Sequence, residues 1–501
     1  MDDQQSGLAE ASSARKQADH VAGAVIAIIG AGFSGMCMAI KLREAGFQNI
    51  TLYEKADNVG GTWRDNSYPG VACDVPSHLY SYSFEPKADW SLLFSPGGEI
   101  QEYCEHVAHK YGLLKQTKFG KELIKSHHSD GGWDLTFADG STERADFLVS
   151  CIGGLHVPSY PDIEGYQDFK GASFHSAKWD HDHDLTGKRV AVVGSAASAL
   201  QLIPEIADKV ASLDMYQRTA NWVMPRAETP YSENQKKWFK RLPLLAKLHR
   251  LMIYLVFESR IPLFRGSTFF GERARRMAVK HLESQVDDPE LRAKLTPDYP
   301  VGCKRILASD SFYPALQQDN VSVITSGIAR ITEDAIIAAD GAERPVDTII
   351  YATGFKPFTM LAEQEITGEG GLTMQEYLKD GIRAYRTVMV PGFPNYFMLT
   401  GPNSGLGHNS IILIIEAQTK YIIKAIKETL KRGARSIDAK KSVSDAYNAQ
   451  LQEQLKHTVW HGQCKSWYKD EKGRIFTLWP KGTINFRRSI KKLKPEEFHF
   501  K

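Results

Sequence analysis

The feature that most constrains this chain is a short pattern that occurs twice. Val21 to Ile29 is a continuous apolar run, as expected of a strand buried on both faces of a parallel sheet. It leads into Gly30-Ala31-Gly32-Phe33-Ser34-Gly35. Met36 to Ala45 follows with helical spacing, with Gly46 as C-terminal cap. Ile50 to Tyr53 then reads as a second strand ending at Glu54. The arrangement returns with Arg189 to Val193 as strand and Gly194-Ser195-Ala196-Ala197-Ser198-Ala199 as turn. Leu200 to Ala207 is the helix, and Ser212 to Gln217 is a strand ending at Arg218. Two βαβ units in one chain predict a duplicated α/β fold.

Small residues at such a turn let the backbone approach a pyrophosphate, which then sits at the helix N-terminus. Glu54 lies 24 residues after Gly30, and Arg218 lies 24 residues after Gly194. An acid at that distance accepts a hydrogen bond from a ribose 2′-hydroxyl, whereas a cation attracts a 2′-phosphate. The two units therefore predict different nucleotides, one with a free ribose at the first and NADPH at the second. Ala196 and Ala199 stand where the second and third glycines of the first loop stand. The expected fold is two Rossmann-like dinucleotide-binding domains.

The chain has 501 residues, enough for two or three domains. A net charge of +3, with 42% apolar and 24% charged residues, is ordinary for a globular protein. That bulk charge gives no argument for nucleic acid or an anionic membrane as the main partner. None of the six cysteines are at C-x-x-C spacing, which disfavours a zinc site or a dithiol motif. Reduced thiols and a cytoplasmic location are the expectation. Residues 1–20 are polar and lack a signal core, and read as a disordered tail. The apolar run Leu251 to Phe257 is too short for a bilayer, which needs about 20 residues.

From Asn221 to Cys303 the texture becomes helical and rich in Lys, Arg and Leu, broken by Pro225, Pro243, Pro262, Pro289 and Pro297. Strands resume at Val321 to Ile324 and Thr348 to Tyr351. A last segment from Asn395 mixes a strand with a long helix from about Ser410. The expected division is a first domain over 21–155 and 390–501, a second over 156–222 and 304–389, and a helical insertion over 223–303. His181-Asp182-His183-Asp184 looks like a metal cluster but lies in a polar loop without partner ligands, so no metal is expected.

Other motifs narrow the function. Gly60-Gly61-Thr62-Trp63 follows Glu54, and Ala352-Thr353-Gly354 follows Asp347 and its strand. Phe169-x-Gly171-x-x-x-His175-x-x-x-Trp179-Asp180 precedes the second unit. It resembles the fingerprint of type I Baeyer–Villiger monooxygenases. Asn66-Ser67-Tyr68-Pro69-Gly70-Val71-Ala72-Cys73-Asp74 resembles another segment of that family, with Ser67 in place of the usual Arg. So do Gly401 to Asn409 and the pair Lys304-Arg305. Lys481, after Trp479-Pro480, departs from the family's usual Gly. The resemblance runs from about residue 21 to about residue 490.

The resemblance implies that NADPH reduces FAD, that O2 adds to the flavin, and that the flavin peroxide inserts one oxygen beside a ketone carbonyl to give an ester or lactone. It places FAD on Gly30, Gly32, Gly35, Glu54, Gly61, Thr62, Trp63, Asp74 and Tyr80. NADPH falls on Gly194, Ser195, Ala196, Ser198, Arg218, Thr219 and Lys304. Arg305, held by Asp74, becomes the catalytic cation; Phe169, Gly171, His175 and Trp179 form a linker that couples the domains. A ketone and O2 are the implied small-molecule partners. The alternatives are a flavin monooxygenase acting on amines or sulfides, or an uncoupled NADPH oxidase or reductase.

Overall fold

A computed structural model describes residues 21–357, 364–462, 464 and 466–501. The expected tail over 1–20 lies outside the described residues. Two five-stranded parallel sheets organise the molecule. We number their strands β1 (Val25–Ile29), β2 (Asn49–Tyr53), β3 (Thr117–Lys118), β4 (Phe147–Ser150), β5 (Ala172–His175), β6 (Arg189–Val193), β7 (Ser212–Tyr216), β8 (Val321–Ile324), β9 (Thr348–Tyr351) and β10 (Tyr396–Met398). The first sheet has the order β10-β4-β1-β2-β3, and the second β5-β9-β6-β7-β8. Four strands of each sheet share one order, β4-β1-β2-β3 in the first and β9-β6-β7-β8 in the second. The fifth, edge strand comes last in the chain in the first sheet (β10) and first in the second (β5).

The duplication goes further than the paired glycine loops. In each unit an antiparallel meander sits between the third strand and the strand that returns beside the first. In the first unit it comprises Leu123–Ser129, Gly132–Phe137 and Thr142–Ala145; in the second, Ile328–Ile331, Ala335–Ala338 and Glu343–Pro345. Glu365–Thr367 pairs with Lys125 to His127, so the chain is already back against the first unit there.

β1 begins at Val25, later than the apolar run suggests, because residues 21–23 are helical. Helix α1 (Phe33–Glu44) crosses from β1 to β2, and α2 (Ala197–Ile206) from β6 to β7. α1 is buried along nearly its whole length between the sheet and the long helix Ile411–Lys431, which Ser410 caps through its side chain. The helical insertion is present as α3 (Glu233–Arg241), α4 (Pro243–Glu258), α5 (Ile261–Phe264), α6 (Thr268–Gln285) and α7 (Pro289–Leu295).

One expectation is corrected. Cys303 and Cys464 form a disulfide, while Cys37, Cys73, Cys104 and Cys151 are free and buried. The partners lie 161 residues apart, so no local spacing announces them.

Candidate active site

Both glycine loops have the backbone that their pattern demands. Gly30 has φ +101° and Gly194 φ +114°. A Cβ on Gly30 would lie 2.8 Å from the Cys151 carbonyl oxygen, and one on Gly194 would lie 2.4 Å from that of Ala352. A side chain is thus excluded twice at each position, by conformation and by the neighbouring strand's end. Gly35 lets α1 close onto its own loop, since a Cβ there would fall 1.8 Å from the Gly30 oxygen.

The first loop forms a cradle suited to an anion. Gly32 faces Gly61, and a Cβ on Gly61 would meet the Gly32 Cα at 3.3 Å. α1 has no side-chain cap and no acid in its first turn, and α2 shares both properties. Each helix thus leaves its N-terminal N–H groups and the positive end of its dipole for a ligand. Glu54 is buried at the end of β2. Its carboxylate accepts from the N–H groups of Ala31 (2.9 Å) and Ala56 (3.1 Å) and pairs with Arg64 (3.2 Å). These contacts fix the carboxylate beside the loop, where a ribose would arrive. Thr62 opens the short helix Thr62–Asp65 just past Gly61. Trp63 donates its indole N–H to the Tyr80 hydroxyl (3.2 Å), and Tyr80 packs edge-on against Phe33 of α1. These groups fit a flavin dinucleotide.

At the second loop Ser195 donates its hydroxyl to the Thr219 carbonyl (3.3 Å). Asn221, which sequence reasoning missed, donates Nδ2 to the carbonyl (2.9 Å) and hydroxyl (3.2 Å) of the same serine. Arg218 is exposed beyond β7. Lys304 is brought beside it because Leu307–Ala308 pairs in parallel with Val223–Met224. Burial lowers the Lys304 ammonium below the ordinary lysine range, and the Arg218 charge lowers it further. Lys304 also lies 4.6 Å over the Tyr299 ring. Two cations held this close suit a phosphate.

The two units meet where their connections between second and third strands converge. Asp74 belongs to the β2–β3 connection, and Arg305 to the β7–β8 connection. Arg305 donates Nε to Asp74 Oδ2 at 2.8 Å, and its Nη2 shares the same oxygen. Asp74 raises the guanidinium above the ordinary arginine range, so it is a permanent cation. Its side chain stays 47% exposed, set in a cleft and still open to a ligand. Tyr468 borders this pair. Burial pushes its phenol up to about 12, against the pull of Arg305. Nothing in the local sequence marks Tyr468.

The segment carrying Asp74 is clamped to the second unit. Tyr68 donates to Gln201 of α2 (2.8 Å), Gln201 donates to the Ala72 carbonyl (2.9 Å), and Ser198 also hydrogen-bonds Tyr68. A Cβ on Gly70 would strike the Gln201 carbonyl at 2.4 Å, so this glycine permits the docking. A cleft of about 600 Å³ opens along the same seam, lined in part by Gly70, Gln201, Arg226 and Asp310. Ser67 contacts His181 (2.7 Å) across the units, and His183 contacts Thr348 (2.9 Å). Among the described residues no group of three or more His, Cys, Asp or Glu could hold a metal.

The fingerprint residues lie on and beside β5, the edge strand of the second sheet. His175 ends β5 and is fully buried. Its Nδ1 accepts from the Ala177 N–H (3.1 Å), so Nε2 carries the proton and donates to the Gly354 carbonyl (3.0 Å). Burial lowers its pKa, which keeps the ring neutral. Gly171 is required because a Cβ would strike both the Asp347 carbonyl and the Phe169 ring at 2.5 Å. Trp179 packs edge-on against Phe174 (5.2 Å). His175 thus fastens the end of β5 to the turn after β9, Gly171 lets the start of β5 close on Asp347 before β9, and Trp179 covers Phe174 of β5.

Comparison with known proteins decides the family. The flavin-binding monooxygenase-like family profile matches residues 23–369. A Baeyer–Villiger monooxygenase of Pseudomonas aeruginosa is 43% identical over 95% of this chain and 91% of its own length. The chain belongs to this family, among its Baeyer–Villiger monooxygenases. A second such monooxygenase, from Streptomyces coelicolor, is 41% identical over 94% of the chain and 92% of its own. The crystal structure of OTEMO in complex with FAD and NADP superposes with a TM-score of 0.86. It is 25% identical and covers 96% of this chain and 99% of that one. Among the described residues no helix of this monooxygenase is long and apolar enough to cross a membrane.

Proposed function

We propose that Arg305, held by Asp74, is the catalytic cation of an FAD- and NADPH-dependent Baeyer–Villiger oxidation of a ketone to an ester or lactone. The observation that carries this reading is the Arg305–Asp74 pair, where the two dinucleotide units converge. FAD would lie on Gly30, Gly32, Gly35, Glu54 and Gly61, with Thr62, Trp63 and Tyr80 beside it. NADPH would lie on Gly194, Ser195, Ala196, Ser198 and Thr219, with Arg218 and Lys304 on its 2′-phosphate. When bound, FAD accepts a hydride from NADPH and supplies the oxygen chemistry.

The protein's part is orientation and charge. Asp74 engages Nε and Nη2, fixing the guanidinium plane and leaving Nη1 for a reacting group. Negative charge builds on oxygen during the transfer, and a fixed cation beside it lowers the barrier. A planar, always-charged guanidinium does this better than an ammonium on a flexible stem.

Arg305→Ala should therefore abolish ester formation while flavin stays bound and NADPH still reduces it. Arg305→Lys should rescue only in part. The measurement is paired, with NADPH consumption recorded beside ester yield from an accepted ketone. Near wild-type ester yield from the alanine variant would remove Arg305 from this role.

A further inference from the structure

A helix at a protein surface normally carries its charges on the arc facing solvent. Helix α4 does the opposite. Ala246, Ile253 and Phe257 face inward and are buried. The outward arc holds Leu244, Leu248, Leu251, Met252, Leu255 and Val256, each 49–67% exposed. Lys247 is the one charged residue of α4 that is exposed. Trp238 of α3, which packs on α4, is 53% exposed as well. So much contiguous exposed apolar surface marks an interaction site.

The charge around this face indicates what covers it. Between Glu233 and Lys280 there are twelve Lys and Arg against three Glu, a net of +9. The whole chain is only +3, so the remainder is net acidic at −6. Lys237, Lys240 and Arg241 precede α4, and Arg260 and Arg265 follow it, all exposed. A second copy would set +9 against +9. Residues 1–20 hold only Met1 and Leu8 as large apolar side chains, too few to cover the arc.

We infer that the α3–α4 face docks on an anionic lipid bilayer, with α4 lying along the interface. Sixteen residues make a helix of about 24 Å. Its leucines would enter the acyl boundary to a depth of about 5–10 Å, and the flanking cations would meet the headgroups. This docking is independent of the chemistry at Arg305.

Flotation of the full-length protein with vesicles tests it. With equal parts phosphatidylcholine and phosphatidylglycerol at low salt, the protein should rise with the vesicles; with phosphatidylcholine alone it should stay behind. Leu248→Glu/Leu255→Glu should cut the bound fraction at least ten-fold. Lys247→Ala should cut affinity about five-fold, as expected for one cation near an anionic surface. Flavin content and NADPH oxidation in vesicle-free buffer should be unchanged in every variant, which confirms folding. The inference is overturned if the wild type fails to float with the anionic vesicles, or if the double variant floats equally well. It is also overturned if gel filtration shows a dimer that the same two substitutions disperse.

Discussion

The two dinucleotide units share the order of four strands, a meander and a glycine-loop backbone, yet they are not interchangeable at the loop. In the first, the space at Gly35 is so tight that a Cβ would sit 1.8 Å from the Gly30 oxygen. In the second, Ala199 carries a methyl at that position and is fully buried. The first loop is thus drawn closer to its helix than the second. A duplicated scaffold tolerates such divergence if each loop answers to its own ligand, as the proposed placement of FAD on the first and NADPH on the second requires. The candidate active site lies between the units, at corresponding connections that hold Asp74 on one side and Arg305 on the other.

The largest expected effect breaks the symmetry outright. Gly35→Ala introduces the residue that the second loop carries naturally, and should empty the first loop of flavin. Ala199→Gly, the reverse change, should leave NADPH-driven flavin reduction largely intact, with a stability loss of about 1 kcal/mol for a glycine in a helix. Absorbance in the flavin bands and the rate of flavin reduction report the two arms. A yellow Gly35→Ala protein with full flavin occupancy would refute the tight-loop argument.

Next in size is the contrast between Glu54 and Arg218, which follow β2 and β7. Arg218→Ala should raise the Michaelis constant for NADPH roughly 10- to 150-fold, the equivalent of about 1.5–3 kcal/mol for a charge-assisted contact. NADH should be little affected, since it lacks the 2′-phosphate. If the wild-type enzyme prefers NADH, the assignment of Arg218 and Lys304 is wrong.

How much of this was legible in the sequence depended on distance along the chain. β6, β8 and β9 were read with their observed bounds, because a short apolar run between turn residues is a local signal. The Glu54 and Arg218 spacings are local too. The run from Val21 misled, since apolar composition does not separate the helical residues 21–23 from β1. What joins remote segments was hidden. Cys303 finds Cys464, Tyr68 finds Gln201, and Glu258 finds His408 only in the fold. The whole-chain charge of +3 gives no sign of the Lys- and Arg-rich insertion, which shows only in the local texture, because a sum discards position.

Glu258 marks a further difference between the units, because it anchors the insertion of the second to the C-terminal segments. It accepts from Asn409 (2.9 Å) and Thr483 (2.8 Å) and faces His408 (3.3 Å). Burial works against its charge, but the hydrogen bonds from His408 and Thr483 prevail and hold the carboxyl at about 2, below the ordinary 4.5. A depressed folded-state value gives stability that is present above pH 4.5 and lost as pH falls toward about 2. The melting-temperature gap between wild type and Glu258→Gln should therefore shrink through that window. A gap that stays constant across it would show that ionisation of Glu258 is not what stabilises the anchor.

The smallest effect probes the second position of each loop. Gly32 has φ −81° and ψ −167°, and Ala196 has φ −86° and ψ −159°. Both are conformations open to alanine, so neither site needs glycine for its backbone. Space is what differs. A Cβ at Gly32 would meet the Gly61 Cα at 3.7 Å, an ordinary contact, so Gly32→Ala should fold normally. The methyl would stand in the gap between the loop and Gly61, where a pyrophosphate approaches, so FAD should bind about ten-fold more weakly, an overpacking cost of about 1.4 kcal/mol. Ala196→Gly makes the opposite change in a loop that already admits a methyl, and NADPH affinity should shift less than about three-fold. Flavin titration into the apoprotein and NADPH kinetics measure the two. Equal tolerance at both positions would mean that the first loop leaves as much room for its nucleotide as the second does, and the difference between the units would then rest on Gly35 and Arg218 alone.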